Sequence, residues 1–409
     1  MRHIIGYIKT AVAALVLCLP MAACTDEPHD EGRGIAVALE LPDLQNTSIE
    51  EVTITITADD GAYQTSRTFT DLRSLAATLF DVPPGCYTVT AATPDGLGGK
   101  ARTCLDGDDI RRVTIRLTEG GAELPVLRLD VTLPDDGLPS YGDGTRAGSG
   151  TYTRRFIADV FAADGGTRVA RHEVTAETAP GGTATIDLPL DEGTYDIRLW
   201  SDYVAADGGG TDFYDAADLQ QVGVNTGAYT ACTDYKDAAY AYLESVSMTA
   251  EGGGTAVALE RPLAKYRIVT KDIDRYRQLE GVPPLEELTV GVSYDEFFPS
   301  SFNVVTGRPN DAVEGVSYGC APSWEADAEG NAALASDWVL VNGAESGVRL
   351  TVTVTAADGS TVCRTTGVSV PYRRGQLTTV SGNFLTAGLG GGGVDIDTGW
   401  DDGTFEVEF

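Results

Sequence analysis

A chain of 409 residues, 42% of them hydrophobic, is too long for one ordinary hydrophobic core and predicts two to four domains. Its formal net charge of −32 at pH 7 repels nucleic acids and anionic lipids, so the composition excludes a nucleic-acid-binding protein. The acidity itself indicates solubility at a crowded surface rather than an acidic functional site.

The N-terminus has the organisation of a signal peptide, predicted over residues 1–23. Two basic residues precede an apolar stretch, residues 10–23, which is too short to remain in a membrane as a spanning helix. Small residues stand directly before Cys24, as in the lipobox of bacterial lipoproteins, so Cys24 is the predicted acylation site. The alternative is an ordinary signal peptide with a chance cysteine. Residues 24–33 are polar and acidic and are expected to form a solvated tether, which favours display at the outer surface of the outer membrane.

Short runs of alternating apolar and polar residues dominate the rest of the chain. Such runs predict strands with one buried face. The clearest of them are residues 52–57, 113–117, 126–133, 349–355 and 404–409. Helical spacing is confined to two short segments, residues 235–243 and 273–279. The predicted fold class is therefore mainly β, with tandem antiparallel β-sandwich domains of Ig-like or transthyretin-like type.

A paired turn signal recurs three times along the chain. Its first half is a strand followed by Asp-Gly, which tolerates the positive φ angles of a tight hairpin. This half occupies residues 57–61, 161–165 and 355–359. In the second half a strand ends at proline, turns at glycine and restarts with an aromatic residue or leucine. This half begins at Val82, Leu188 and Val370. Each pair is interpreted as one sandwich module, although hairpin signals of this kind can recur in any β protein.

Module boundaries follow from these pairs and from the glycine-rich segments between them. The predicted modules are residues 34–122, 123–260 and 261–409. Residues 137–150 hold five glycines in fourteen positions and are expected to form a flexible connection or a long loop. A second glycine run, residues 388–393, precedes the closing strand, which is of the kind that pairs along a sheet edge.

The cysteines indicate an oxidising compartment. Five remain once the signal peptide is removed and Cys24 is acylated, so at least one is unpaired. Bridges that stay within one module are predicted between Cys86 and Cys104 and between Cys320 and Cys363. No spacing of cysteine and histidine indicates zinc.

Motifs for catalysis and for cofactors are missing from the sequence. There is no HExxH and no glycine-rich phosphate loop after a strand. His172 is one of two histidines in the mature chain and is interpreted as a solvent-facing strand residue. We therefore expect no enzymatic activity and no cofactor.

A weak calcium candidate lies near the C-terminus. Asp395, Asp397 and Asp401 have an oxygen-rich spacing, but the segment fails the EF-hand pattern, since Gly399 and Trp400 stand where a ligand and the turn glycine belong. The simpler interpretation is a plain acidic hairpin.

A weak glycan-binding candidate is formed by aromatic residues in the second module. Trp200, Tyr203, Phe213 and Tyr214 could offer a stacking platform to a sugar ring. Trp200 ends an alternating strand, however, and is more simply a core residue.

Three further segments carry a resemblance to a known family. They are residues 194–203 (TYDIRLWSDY), residues 261–268 (RPLAKYRI), and the ending VPYRRG at 370–375 with GNFLT at 382–386. On these motifs the chain resembles the fimbrillin-like lipoproteins that build type V pili and related surface fibres of Bacteroidales type. The resemblance covers about residues 145–409. It implies two β-sandwiches in one subunit and subunits joined by inserting a strand of one into a groove of another. The extra N-terminal module departs from that plan and leaves open a polymerising subunit, an anchor, a tip or a relative that does not polymerise.

The resemblance also implies a proteolytic step. In that family an arginine-specific protease cuts after an arginine in an exposed loop, and Arg146 is the position that matches. The strand predicted at residues 126–133 would be separated from the following chain by this cut. The alternative is that Arg146 is an ordinary loop residue and the N-terminal module stays attached.

Two classes of function remain from the sequence. In the first, a lipid-anchored structural or adhesive protein of the cell surface assembles with other fimbrial subunits by β-strand addition. In the second, a monomeric surface lipoprotein binds a glycan or a host protein through its loops.

Overall fold

The computed structural model describes residues 33–40, 49–107, 109–121, 124–135, 152–163, 166–206, 211–387, 394–397 and 404–407. These residues form many strands and few short helices, which confirms the predicted mainly β fold class. The strands pair into several mostly antiparallel sheets, as expected for tandem β-sandwiches.

The secondary structure elements fall into three successive groups. The first group contains β1 (Gly34–Glu40), β2 (Val52–Ala58), β3 (Gln64–Phe69), α1 (Leu72–Ala76), β4 (Leu79–Phe80), β5 (Gly85–Ala92), β6 (Leu97–Leu105), β7 (Ile110–Arg116) and β8 (Thr118–Glu119). The second contains β9 (Val126–Thr132), β10 (Tyr152–Ala162), β11 (Arg168–Ala176), β12 (Thr183–Pro189), β13 (Gly193–Ala205), β14 (Tyr214–Asp215), β15 (Val222–Val224), β16 (Ala239–Met248) and β17 (Gly253–Ala258). The third contains β18 (Leu263–Thr270), α2 (Ile273–Arg277), β19 (Thr289–Tyr294), β20 (Phe298–Asn303), β21 (Arg308–Val313), β22 (Ser317–Cys320), β23 (Ala332–Leu340), β24 (Glu345–Thr355), β25 (Thr361–Arg373), β26 (Leu377–Gly382), β27 (Val394–Asp397) and β28 (Thr404–Val407).

The strands form where the sequence alternates. In β2 the residues Val52, Ile54 and Ile56 are buried while the threonines between them are partly exposed. β-branched side chains of this kind fit a pleated surface with one face on a core. The predicted strands at 113–117, 126–133, 349–355 and 404–409 all lie on observed strands, within a few residues at their ends. Of the two predicted helical segments, 273–279 contains α2, whereas 235–243 is wrong, since it runs from a single 3-10 turn into β16.

The first and second groups share one strand topology. In each group the first strand is the middle strand of a three-stranded sheet. It pairs antiparallel with one neighbour and parallel with the last long strand of the group. The strand orders are β4-β1-β7 in the first group and β12-β9-β17 in the second. The facing sheets are β3-β2-β5-β6-β8 and β11-β10-β13-β16. The Asp-Gly turn joins equivalent strands in both, which explains why the paired signal repeats between them.

The third group keeps this plan, with β18 between β23 and β26 and parallel to β26. Its facing sheet is β22-β19-β24-β25. Here the Asp-Gly turn connects β24 to β25. The equivalent connection in the second group is the one from β13 to β16. The third copy of the turn signal therefore marks a hairpin, but not the same hairpin as the first two copies.

Buried side chains collect into three hydrophobic clusters. One is built from residues between Ile35 and Leu117, a second from β9 to β17, and the largest from the third group. The segment between Phe213 and Ala238 adds its side chains to the largest cluster, although it precedes the predicted boundary at residue 261. Its strand β15 pairs with β20. The chain thus contributes this segment to the third core first, and then returns to the second sandwich to form β16 and β17.

Candidate strand-insertion site

Strand β9 lies in the middle of the three-stranded sheet of the second sandwich, between β12 and β17. It pairs antiparallel with β12, where Leu129 is opposite Ile186, and parallel with β17, where Leu129 is opposite Thr255. Both edges of β9 are therefore hydrogen-bonded. Without β9 the sheet would consist of two strands about 10 Å apart, which is the width of one missing strand.

The inward face of β9 is entirely apolar. Leu127, Leu129 and Val131 on β9, and Leu133 directly after it, are 2%, 0%, 1% and 4% exposed and belong to the second hydrophobic cluster. Burial of a side chain of this size contributes about 1.5–3 kcal/mol. The four together supply on the order of 10 kcal/mol before the entropic cost of ordering the strand. This face holds β9 in the sheet.

The outward face of β9 is exposed and, apart from Val126 at its start, polar. Arg128 donates to both carboxylate oxygens of Asp187 on β12, at 2.9 and 3.1 Å, and this hydrogen bond lowers the pKa of Asp187. The hydroxyl of Thr185 donates to Asp130 at 2.9 Å. Exposed pairs of this kind contribute little stability, but they fix which residues of β9 and β12 lie opposite each other.

The C-terminal end of β9 is tied to the boundary between the second and third sandwiches. Arg261 donates from Nη1 to the backbone oxygen of Asp135 at 2.8 Å. The same guanidinium binds the carboxylate of Asp237 through Nε and Nη2, at 2.9 and 3.3 Å. The chain therefore leaves β9 from a fixed point and enters residues 136–151, which lie outside the described residues.

Several predicted site residues fall outside the described part of the chain. These are Cys24, Arg146 and Asp401. Asp395 and Asp397 lie on β27. Across the described ranges, no three acidic, histidine or cysteine side chains are grouped to hold a metal ion. Among the same residues, no helix is both long and apolar enough to cross a membrane.

The disulfides differ in part from the predicted pairs. Cys86 and Cys104 are bonded across β5 and β6, where they lie directly opposite each other with a Cα separation of 4.0 Å. Cys320 is bonded to Cys232, and Cys363 is a buried free cysteine. The predicted bridge between Cys320 and Cys363 is therefore corrected. Its premise was that a bridge stays within one predicted module, whereas Cys232 lies on the segment that crosses to the third core.

The aromatic candidates lie mostly in the core. Trp200, Phe213 and Tyr214 are 1%, 5% and 3% exposed, and the rings of Trp200 and Tyr214 meet edge to face at 5.5 Å. Tyr203 is half-buried, with the guanidinium of Arg154 over its ring at 4.5 Å. Three of the four rings have no open face, so the predicted stacking platform is corrected.

An open groove of about 1150 Å³ lies beside these residues and contains Arg155 and Arg171. Both arginines are already paired within the protein. Arg155 binds Asp202 through two hydrogen bonds of 2.9 and 2.7 Å, and Arg171 binds Asp159 at 2.9 Å. Their charges are therefore not available to recognise an anionic ligand.

The first and second sandwiches meet through a polar contact around His172. Arg102 donates from Nη1 to Nε2 of His172 at 2.6 Å and also pairs with Asp59, while Arg168 pairs with Asp106. Burial, and then the charge of Arg102, lowers the pKa of His172 to about 4. The predicted solvent-facing role of His172 is therefore corrected to a contact between two sandwiches.

Comparison with known proteins places the second and third sandwiches in one family. A family model described as a family of unknown function, DUF6562, matches residues 123–408. No curated protein matches the chain.

Several solved structures are similar to this chain. The tip fimbrial protein Mfa3 from Porphyromonas gingivalis is 12% identical with a TM-score of 0.35, covering 67% of this chain and 99% of that one. A Bacteroides thetaiotaomicron protein provisionally described as an adhesin is 13% identical with a TM-score of 0.40, covering 70% and 99%. A Bacteroides eggerthii protein provisionally described as a cell adhesion protein is 14% identical with a TM-score of 0.37, covering 70% and 94%.

Proposed function

The chain belongs to the family of unknown function DUF6562, and we propose that it is a lipid-anchored protein of the bacterial cell surface with a fimbrial or adhesive, non-catalytic role. The observation that carries the proposal is the placement of β9. This strand completes the second sandwich from the middle of a sheet, and it immediately precedes the segment that contains Arg146. A second strand with the same alternation could take its place.

Cleavage after Arg146 would leave β9 bound only by noncovalent contacts. The strand would keep its four buried side chains and its hydrogen bonds to β12 and β17, but no peptide bond would join it to β10. Exchange then becomes a competition between two strands for one groove. An incoming strand from another subunit wins if it buries a comparable apolar face.

The cut would also divide the chain by function. The N-terminal fragment would retain Cys24, the first sandwich and β9, whereas the second and third sandwiches would lie in the other fragment. The contact between Arg102 and His172 and the pair of Arg168 with Asp106 would still join the fragments. An uncut chain would thus stay at the membrane as an anchor or terminal subunit, and a cut chain could exchange β9 and join a fibre.

N-terminal sequencing of surface-purified protein tests the cut. We expect a start at Ala147 in the wild type and its loss in Arg146→Ala. The matched control is Arg364→Ala, which removes an exposed arginine from β25 and should leave the cut unchanged. A uniform lipidated start at Cys24 in the wild type would exclude assembly by this route.

Strand exchange is tested with a labelled peptide of residues 124–135. Cleaved protein should incorporate the peptide, because the groove between β12 and β17 can reopen. Intact protein should incorporate far less, since its own β9 is covalently attached at both ends. A peptide carrying Leu129→Asp would bury an unpaired carboxylate and should not enter. Equal uptake of the two peptides would show that the groove does not select an apolar face.

Lipid anchoring is tested separately at Cys24. Cys24→Ala should abolish incorporation of labelled fatty acid, because the thiol is the acceptor of the lipid. Unchanged labelling in this variant would refute the anchor and leave the proposal for β9 standing.

A further inference from the structure

A lysine and an aspartate lie together in the third core, fully enclosed by the protein. Lys236 ends a 3-10 turn, Asp234–Lys236, and Asp337 lies on β23. Their side chains are 2% and 0% exposed, and Nζ of Lys236 lies 2.8 Å from Oδ1 of Asp337. Two ionisable groups so deeply buried carry a large desolvation cost unless their charges are removed or very well satisfied.

The aspartate is surrounded by hydrogen-bond donors. Oδ1 accepts from Lys236 and from the backbone nitrogen of Trp338 at 2.8 Å. Oδ2 accepts from the hydroxyls of Tyr229 and Tyr294, the latter at 2.7 Å. Burial raises the pKa of both tyrosines well above the usual value, so both hydroxyls stay protonated and act as donors. The carbonyl carbon of Asp337 is thus polarised from both of its oxygens.

The lysine is poorly satisfied as an ammonium ion. Within the described part of the chain its three N–H groups meet one oxygen acceptor, Oδ1 of Asp337, and Nζ otherwise faces the rings of Tyr229 at 3.7 Å and Phe298 at 5.9 Å. Burial lowers the pKa of Lys236, against the opposing effect of the Asp337 carboxylate. Transfer of one proton from the ammonium to the carboxylate would give a neutral amine and a neutral acid and remove both charges from the core.

We propose that Lys236 and Asp337 condense to an intramolecular amide bond. The nitrogen lone pair of the neutral amine attacks Cγ of the protonated carboxyl group, and the carbon–oxygen bond to one carboxyl oxygen breaks. That oxygen leaves as water with the proton already on the carboxyl and one proton from the nitrogen. The ammonium and carboxylate together lose one water molecule, no electrons are transferred, and no co-reactant is needed.

The surrounding donors have defined positions in this step. The Trp338 N–H points to Oδ1, where negative charge develops as the nitrogen adds. Tyr229 and Tyr294 point to Oδ2, the oxygen that would depart with the protons. Burial keeps bulk water from the amine and favours its neutral form.

The bond would fasten the segment that crosses from the second sandwich to the third. Lys236 and Asp337 are 101 residues apart in sequence. The same segment carries Cys232, which is bonded to Cys320, and Asp237, which binds Arg261. An amide at Lys236 would add a link that reducing agents do not break, in a protein that we propose to have a fimbrial or adhesive role at the cell surface.

Peptide mapping of the full-length purified protein tests the bond after reduction and alkylation of the cysteines. We expect a branched tryptic peptide that joins the segment around Lys236 to the segment around Asp337, lighter than its two parts by one water molecule. Recovery of two separate linear peptides, with trypsin cutting after Lys236, would overturn the proposal. This result does not depend on any variant folding.

Intact masses of three variants provide the controls. Lys236→Met and Asp337→Ala each remove one reacting group, so their masses should equal the value expected from sequence, whereas the wild type should lack one water. The matched control is Lys265→Met, because Lys265 also lies beside a carboxylate, 2.6 Å from Asp234, whose side chain is 21% exposed. This variant should still lack one water. A water loss that persists in Lys236→Met would place the bond elsewhere and overturn the assignment.

Discussion

Strands β9 and β18 occupy the same place in neighbouring sandwiches, yet they are held in different ways. Each is the first strand of its sandwich, and each lies between one antiparallel strand and the last strand of the plan, to which it is parallel. In β9 buried and exposed residues alternate along the strand. In β18 seven of the eight residues are buried, so both of its faces are covered.

Both faces of β18 make specific polar contacts, through Lys265 on one face and Tyr266 on the other. Lys265 is 3% exposed at its side chain and binds Asp234 at 2.6 Å. The hydroxyl of Tyr266 is hydrogen-bonded to those of Tyr294 at 2.9 Å and Tyr318 at 2.7 Å. A strand held by one apolar face can be replaced by any strand of like alternation, whereas β18 can be replaced only by one that supplies these groups. Strand exchange is therefore expected in the second sandwich and not in the third.

The largest expected effect is the loss of the bridge that holds the crossing segment to the third sandwich. Replacing Cys232 and Cys320 by serine opens a loop of 88 residues and should destabilise that sandwich by about 4–5 kcal/mol on the chain-entropy model. The matched pair, Cys86→Ser with Cys104→Ser, opens a loop of 18 residues and should cost about 3 kcal/mol in the first sandwich. Thermal unfolding of oxidised protein measures both. Equal shifts would show that loop length does not set the effect.

The next effect concerns the apolar face of β9. Leu129→Ala removes a fully buried side chain and should destabilise the second sandwich by about 3 kcal/mol, through lost burial and the cavity left behind. Arg128→Ala changes the exposed face of the same strand and should leave the denaturation midpoint nearly unchanged. The stability of both variants is measured by denaturant unfolding, with proteolysis used to report unfolding of the second sandwich. A comparable loss in Arg128→Ala would contradict a strand held by one face.

The position of β9 could be predicted from the sequence because burial of one strand face requires alternating apolar and polar residues. The segment at 126–133 alternates without interruption, and its apolar positions are the ones that are buried. The Asp-Gly signal also lies between equivalent strands in the first and second sandwiches. Local patterns of this kind depend only on neighbours in the chain.

Other features depend on contacts between segments that are distant in the chain, and no local sequence pattern indicates them. The run from Tyr229 to Asp237 is rich in polar and charged residues and overlaps the helical segment predicted at 235–243, yet tertiary contacts bury Lys236 against Asp337. The pairing of Cys320 with Cys232 was missed for the same reason, because only the crossing of this segment brings the two together. The third Asp-Gly copy predicted a hairpin correctly but could not tell which pair of strands it joins.

A smaller effect is expected from the polar contacts of β18. Tyr266→Phe removes a hydroxyl that meets those of Tyr294 and Tyr318, so two hydrogen bonds inside the core are lost. The loss should be about 1–2 kcal/mol in the third sandwich. Tyr63→Phe is the control, since its hydroxyl makes one long contact of 3.3 Å to a backbone oxygen near the surface, and it should change little. If Tyr266→Phe is also neutral, the hydroxyl cluster does not distinguish β18 from β9.

The smallest effect concerns the contact between the first and second sandwiches, which would still hold the fragment carrying β9 after a cut. The folded pKa of His172, about 4, lies below its ordinary value of 6.5, since burial and Arg102 favour the neutral ring. Between pH 6.5 and 4 the unfolded chain binds a proton that the folded chain does not. The stability from neutral His172 is therefore complete above pH 6.5 and is lost as the pH falls toward 4.

Asp191, whose pKa burial raises to about 6, acts in the opposite direction over much of this window, so the wild type alone does not isolate the histidine. We expect the difference in melting temperature between His172→Gln and the wild type to shift in favour of the variant when the pH is lowered from 7 to 4.5, because glutamine takes up no proton. A difference that is constant with pH would show that the ring does not titrate at this contact.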